Sequence, residues 1–330
     1  MDQFFELNIN YRQGQGEDAL LDVLRVGRLG QAPSAAQLAP LRARRRNALA
    51  EPYRAVRGDA LWLTTTHADR RILNTAMLQE LRRGGAPTIH VWSHHARSVR
   101  ANGRPNVGMH GPMTGADRIA AFTTKTGETP GGPPKVEALL RLAMGARVCL
   151  TENDRNFARI GLTNGAIGTL VGLEYPTAST ATPPQPGLDL REVCDMDLPP
   201  PMPIALVRFD TLAGGPNNLI VPIFPTAEMT VSTDDHGKFT RTGLPLRLAR
   251  ARTVHSAQGQ TASQVVFLPT AAGTVPFAFG LAYVALSRVQ TLDGLYILGH
   301  DLRAQHFTAR NECAAHIDAE MARLRAMHDD

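Results

Sequence analysis

The sequence predicts an α/β fold broken by an all-β stretch, and three observations carry that expectation. Ala60-Leu61-Trp62-Leu63-Thr64-Thr65 is a short apolar run that feeds directly into a helix signal, Thr66 to Arg83, the strand-then-helix succession of α/β proteins. Val265 to Leu268 is a second buried-strand run, set between two polar stretches that each hold a chemically useful side chain. From Leu142 to Leu244, by contrast, β-like runs are separated by glycine turns and prolines, which is the texture of hairpins rather than of helices.

In chain order, Phe4 to Ile9 reads as a short half-apolar strand followed by Asn10-Tyr11-Arg12-Gln13. Glu17 to Arg28 has apolar residues at 20, 21, 23, 24 and 26, acids in its first turn and glycines at 27 and 30, so a helix is expected. Ser34-Ala35-Ala36-Gln37 has the capping-box form and opens a helical stretch expected to end near Pro52. Within it Arg42-Ala43-Arg44-Arg45-Arg46 is the densest positive run, read as a solvated helix face rather than a nucleic-acid contact. Thr66-His67-Ala68-Asp69 caps the helix that carries Ile72, Leu73, Ala76, Met77 and Leu81 on one side and stops at Gly84-Gly85.

Thr88 to Trp92 reads as a strand, so His90, His94 and His95 lack the frame of a metal site, and no metal is expected. Arg97 to Pro134, rich in Gly, Pro, Arg and Thr, is expected to be a loop. Gly145 to Leu173 is a hairpin unit, because glycines at its turns permit positive φ. The stretch Pro176 to Pro203 holds eight prolines, and so many missing N–H donors argue for a loop. Further β-like runs follow at Ile204 to Phe209, Leu219 to Phe224 and Met229 to Ser232, with a turn at Asp234 to Gly237 and a closing point near Leu244-Pro245-Leu246. Leu295 to Gly299 is a last strand and Thr308 to Met327 a last amphipathic helix.

The polar stretches hold the chemistry. Thr253-Val254-His255-Ser256-Ala257-Gln258-Gly259-Gln260-Thr261 precedes the apolar run, and Tyr283-Val284-Ala285-Leu286-Ser287-Arg288 follows it. An arginine at the end of an apolar helical run can aim a planar, permanently charged fork at a phosphate. A lone arginine of this kind is more often a helix-capping surface residue; the neighbouring motifs tip the balance. The order T-V-H-S-A-Q-G, apolar strand, Y-V-A-L-S-R, then Leu292-Asp293-Gly294-Leu295 resembles motifs V and VI of the PIF-type DNA helicases of superfamily one, relatives of RecD.

That resemblance implies a RecA-like parallel sheet with helices on both faces, over residues 1–141 and 245–330, interrupted by a small β-barrel insert over 142–244. It places N-Y-R-Q at motif IV, so that Arg12, Gln258, Gly259 and Arg288 face a nucleotide, with Arg288 as arginine finger. It turns Thr64, Thr65 and Asn74 toward a DNA backbone and lets Thr253, His255 and Ser256 grip a strand phosphate. Ser256 stands where the family's usual T-I-H-K-S-Q-G has lysine and Ala257 where it has serine, which removes one charge-assisted contact from that grip.

Turnover of ATP also needs a G-x-x-x-x-G-K-[ST] turn and an acidic pair for Mg²⁺. The sequence holds no such turn, Gly237-Lys238 being followed by phenylalanine, and no Asp-Glu pair to serve the metal. In the family those parts lie in the first RecA-like domain, so the resemblance implies the second half of a 5′-to-3′ helicase, with Met1 falling just before motif IV. ATP and Mg²⁺ would then act only with a first half supplied in cis or in trans, and single-stranded DNA would be the partner. A non-catalytic strand-binding module, or a transposon-derived remnant, is the alternative.

Composition agrees with a polyanionic partner without requiring one: 35 Lys+Arg stand against 30 Asp+Glu. An aromatic content of 5% is low for a base-stacking platform, so backbone contacts and a steep salt dependence are expected. Cys149, Cys194 and Cys313 are widely spaced with no C-x-x-C pair, which reads as free thiols in a reducing compartment. Met1-Asp2-Gln3-Phe4-Phe5-Glu6 lacks a signal-peptide pattern, and no apolar run is long enough to span a bilayer. The expected setting is soluble and intracellular, nuclear or mitochondrial in a eukaryote, with no membrane partner.

Overall fold

The computed structural model describes residues 12–13, 16–46, 60–101, 104–111, 113–123, 136–153, 158–176, 193–194, 200–210, 219–233, 237–269 and 280–308, with 316, 319–320, 322–323 and 326 beyond them. The chain divides into two compact units, Met1–Leu73 with Ala251–Asp330, and Asn74–Arg250.

The first unit is built on a parallel sheet. Its strands are β1 (Arg45–Arg46), β2 (Leu61–Thr64), β14 (Ala251–Thr253), β15 (Val265–Leu268) and β16 (Leu295–Leu298), in the order β1-β16-β15-β2-β14. Every pairing is parallel, with Val266 opposite Trp62 and Tyr296, and Thr253 opposite Thr64. Leu61, Leu63, Val265, Phe267, Leu295 and Ile297 point to one face. There they meet Leu20, Val23 and Leu24 of α1 (Asp18–Arg28), Leu38 and Leu41 of α2 (Ala35–Ala43), and Leu281, Ala285 and Leu286 of α5 (Leu281–Leu286). Each such side chain, fully removed from water, contributes roughly 1.5–3 kcal/mol. Trp62, Val266 and Leu298, which alternate with them, are buried as well, so both faces of the sheet are covered, as near-continuous apolar strands require. This is the RecA-like α/β arrangement.

The run Arg42 to Arg46 departs from expectation. Helix α2 opens on the capping box of Ser34 and Gln37 but ends at Ala43, and Arg45-Arg46 turn extended to pair with Ile297 and Leu298. The arginines serve that edge rather than facing solvent along a helix. Arg42 Nε donates to Leu302 O at 3.3 Å, Arg44 Nε to Leu295 O at 3.0 Å and Arg45 Nε to Gly299 O at 3.1 Å. Arg44 also binds Asp293 and lies over the Tyr296 ring, while Arg45 pairs with Asp301 at 3.1 Å. Charge density alone did not show that four carbonyls and two carboxylates wait on the facing segment.

Helix α3 (His67–Arg83) carries the chain onward, and the second unit is antiparallel. Strands β7 (Arg147–Leu150), β8 (Ile167–Glu174), β9 (Ile204–Phe209), β10 (Ile220–Ile223) and β13 (Leu246–Leu248) form a five-stranded sheet in the order β10-β9-β8-β7-β13. Along β9 the alternation is clean: Ala205, Val207 and Phe209 are buried while Ile204, Leu206 and Arg208 are half-exposed. Leu140, Leu142, Leu150, Leu170, Val221, Ile223 and Leu246 complete the core. Strands β3 (Thr88–Trp92) and β6 (Leu139–Ala143) pair with each other; β4 (His94–Ala101), β5 (Arg104–Gly111), β11 (Thr226–Thr233) and β12 (Gly237–Gly243) form a sheet in the order β11-β12-β4-β5.

One expectation is corrected in this unit. Residues 97–134 were expected as loop, yet the described part contains the β4–β5 hairpin and α4 (Gly115–Thr123). The helix has its own signal: Thr114 and Asp117 cap each other, Asp117 N donating to Thr114 Oγ1 at 3.1 Å and Thr114 N to Asp117 Oδ2 at 3.0 Å. The hairpin has no propensity signal of its own; β12 supplies its ladder. Strands β3 to β6 lie in the unit Asn74–Arg250 together with the other antiparallel strands.

A buried arginine ties this unit together. Arg241, 1% exposed, donates through Nε to His95 Nε2 at 2.8 Å, through Nη2 to Ala121 O at 2.8 Å and through Nη1 to Val136 O at 3.5 Å. Burial pushes its pKa down to about 10. His95 is pushed down to about 3, by burial first, then by Arg241 and His94, so the ring is neutral with its proton on Nδ1. Phe122 stands edge-on to His95 at 4.4 Å and to Trp92 at 5.4 Å.

The expected strand at 4–9, the tail of the second helix to Pro52, most of the proline-rich stretch 176–203, the turn residues 234–236 and most of the helix at 308–327 lie outside the described residues. Among the described residues no helix is long and apolar enough to cross a membrane.

Candidate functional site

Because all five strands of the first unit run the same way, their carboxyl ends share one edge, the edge where α/β sheets bind ligands. Thr64 and Thr253 end β2 and β14 side by side. Thr64, however, is fully buried, and its hydroxyl donates to Thr66 O at 3.0 Å and Arg252 O at 3.3 Å. It closes the strand end instead of offering a donor outward. Thr66 caps α3, accepting from Asp69 N at 3.1 Å and donating to Asp69 Oδ2 at 2.6 Å. Between them Thr65 keeps a hydroxyl with no protein partner. Asn74 is buried and donates from Nδ2 to Leu248 O at 3.3 Å. Of the three residues expected at a DNA backbone through this turn, the structure leaves Thr65 with an uncommitted polar group.

After β14 the chain makes a 3-10 turn, Val254–Ala257. Thr253 and Ser256 are joined: Thr253 Oγ1 donates to Ser256 Oγ at 3.3 Å, and Ser256 Oγ to Thr253 O at 2.8 Å. His255 is exposed beside them, as are Gln258 and Gly259. Gly259 sits at φ 83°, a conformation glycine adopts without strain. There the chain turns back toward the start of β15, crossing from one edge of the sheet to the other.

The two arginines meet at the far end of that crossing. Helix α5 ends at Leu286, and Arg288, 7% exposed, folds back over it. Its Nε donates to Val284 O at 2.9 Å, Nη1 to Gln260 O at 3.2 Å and Nη2 to Ser287 Oγ at 2.7 Å. Arg12 reaches the same place from a segment 275 residues away, donating from Nη1 to Ser287 O at 3.1 Å and from Nε to Thr261 Oγ1 at 3.0 Å. The partners of Arg288 are neutral oxygens, and a charged neighbour is another guanidinium. Burial, then Arg12, lowers the Arg288 pKa, against which Tyr283 acts. Carbonyl and hydroxyl oxygens thus hold the two guanidiniums in one place.

The structure thus gathers Arg12 with Arg288, and Thr253 with Ser256; it places Gln258 and Gly259 on the connection between the pairs. Sequence reasoning passed over Gln260 and Thr261, which accept from the arginines, and Gln13, which donates to the carbonyls of Ser287 and Val289. All three sit inside the motifs already singled out, so adjacency was the available signal. For metal binding, no cluster of three or more His, Cys, Asp or Glu occurs among the described residues. His94 Nε2 lies 2.8 Å from Pro200 O, and His95 is engaged by Arg241.

No protein-family model matches the chain. It is 33% identical over 192 residues to human ATP-dependent DNA helicase PIF1, a match covering 58% of this chain and 24% of that protein. The chain therefore spans about a quarter of that relative's length. Among solved structures, Pif1 helicase from Candida albicans superposes with a TM-score of 0.60 at 19% identity, over 95% of this chain and 59% of that one. Pif1 helicase from Bacteroides in complex with ADP-AlF3 and ssDNA gives 0.59 at 20%, over 96% and 56%. The fold is a RecA-like α/β fold. Sequence and fold together relate the chain to the PIF-type DNA helicases of superfamily one.

Proposed function

We propose that this chain provides the second RecA-like half of an ATP-dependent 5′-to-3′ DNA helicase. Arg288 acts as arginine finger, and Arg12 and Gln258 face the same nucleotide. The observation that carries the reading is the Arg12–Arg288 pair, anchored through Gln260 and Thr261 to the segment that begins with Thr253, His255 and Ser256. Strand-facing and phosphate-facing groups then share one nine-residue connection. A phosphate-binding loop and an acidic pair for Mg²⁺ come from a first RecA-like half, in cis or in trans. Against the γ-phosphate the guanidiniums stabilise charge that develops as the phosphoryl group transfers. Thr65, Thr253, His255 and Ser256 hold single-stranded DNA by its backbone.

The test is ATP turnover and unwinding of a 5′-tailed duplex by the full chain, with and without a phosphate-loop half of a PIF-type helicase. Turnover is expected only with both halves. In that mixture Arg288→Ala is expected to lower it by about a thousandfold or more. Turnover by these 330 residues alone, or an Arg288→Ala mixture as fast as the parent, overturns the reading. Single-strand binding without turnover in the mixture would leave a strand-binding module.

A further inference from the structure

After α5 the chain turns through Ser287, at φ −71° and ψ −4°, and Arg288 to a single bridge at Val289, and its two edges are held differently. On one edge the partner is backbone: Ala262 N donates to Arg288 O at 3.0 Å and Gln290 N to Ala262 O at 3.3 Å, forming the parallel bridge of Ala262 with Val289. On the other edge emerge the carbonyls of Ser287 and Val289, residues that are 4% and 0% exposed. Both accept from one side chain, Gln13 Nε2, at 3.4 Å and 2.9 Å. A single carboxamide thus does there what two N–H groups of a neighbouring strand would do. Ser287 O in addition accepts from Arg12 Nη1 at 3.1 Å, so one carbonyl joins the residue before Gln13 to the residue before Arg288.

We propose that Gln13 is a positioning residue: its buried amide brackets the backbone on both sides of Arg288 and locks it to Arg12, so that the two guanidiniums meet a polyphosphate as one preset pair. The inference rests on the reading of Arg12 and Arg288 as phosphate-facing. The chemistry is specific to a primary amide, because two buried carbonyls need N–H donors on a single nitrogen. Methionine keeps the volume and loses both donors. Glutamate keeps the shape, sets oxygen against oxygen, and brings a carboxylate to the guanidiniums.

The experiment uses the full chain, uniformly labelled with ¹⁵N. It reads affinity for inorganic tripolyphosphate by calorimetry at low salt, the Nε–H resonances of Arg12 and Arg288, and circular dichroism as a check of folding. The parent chain binds tripolyphosphate, and Arg288→Ala weakens it by roughly tenfold, as loss of a charge-assisted contact should. Gln13→Met is expected to weaken binding by roughly fivefold, the scale of one lost buried hydrogen bond, with the Arg288 Nε–H signal shifted or broadened and the dichroism unchanged. Gln13→Glu weakens it too and serves if the methionine chain does not fold. A parent chain indifferent to tripolyphosphate, or an Arg288→Ala chain that binds as well, sinks the arginine reading itself. Gln13 variants within twofold of the parent, with Arg288 resonances unmoved while Arg288→Ala still loses affinity, overturn the role of Gln13 and leave the arginine reading standing.

Discussion

Each unit of the molecule has a buried arginine held by neutral acceptors, Arg241 in one and Arg288 in the other, and these two differ in what stands beside the charge. Arg241 in the antiparallel unit faces the Nε2 of a neutral imidazole and the carbonyls of Ala121 and Val136. Arg288 in the parallel unit is equally wrapped in carbonyls but has a second guanidinium, Arg12, as a neighbour. A buried cation surrounded by acceptors is a structural brace, since each acceptor would otherwise be left unpaired. Two cations brought together by unrelated segments are unfavourable until an anion arrives. Under the proposed function, the neighbouring guanidinium is what distinguishes Arg288 from Arg241.

That comparison can be broken in several ways. The largest expected effect on stability is at the brace: Arg241→Met strands His95 Nε2 and two backbone carbonyls, and should cost about 3 kcal/mol or more in urea unfolding of the full chain. Arg288→Ala should cost less, about 1 kcal/mol, because removing it also relieves repulsion from Arg12. If Arg288→Ala proves the more destabilising of the two, the division of labour is wrong. Gly294→Ala ranks between them, at about 2 kcal/mol, since a Cβ there would press into the carbonyl oxygen of Ser263; a thermal shift within a degree of the parent would contradict that packing.

Acid sharpens the contrast. The His95 pKa is about 3 when folded against 6.5 when unfolded, so between those values the unfolded chain binds the extra proton. The contribution of His95 is complete above pH 6.5 and is lost as pH falls toward 3. At pH 5 the loss should reach up to about 2 kcal/mol. His95→Gln should flatten that slope in unfolding measured from pH 7 to 5; an unchanged slope would mean the imidazole is not held neutral by Arg241. Smallest is Arg44→Ala on the parallel edge, about 1 kcal/mol, read in the same unfolding measurement. No change there would show that β1 needs no staple.

Local signals proved legible where the physics is local. Val265–Leu268 and Ile204–Phe209 form strands at the residues their patterns indicate, and Ser34 with Gln37 closes its box. Arg12 and Arg288 were found through motif order, yet nothing at position 12 announces a contact 275 residues away. The misreadings share a cause. Arg45-Arg46 became strand because β16 offers a parallel edge, and residues 94–111 became a hairpin because β12 completes its ladder; both partners are remote in sequence. Thr64 looked outward on its motif, but Arg252 O, known only once β14 is placed beside β2, claims its hydroxyl.

The path of the chain sets an order of assembly at the ribosome. Thr64 waits for Arg252 O, 188 residues later, so the parallel sheet can close only after Asn74–Arg250 has left the exit tunnel. The antiparallel ladders lie within that stretch and need nothing beyond it, so they can form first while β2 stays unpaired and Trp62 unsheltered. During synthesis the vulnerable surface is therefore the early strand of the parallel sheet, and a nascent chain arrested once Arg250 has cleared the tunnel is expected to resist protease in its middle and to be cut near β2.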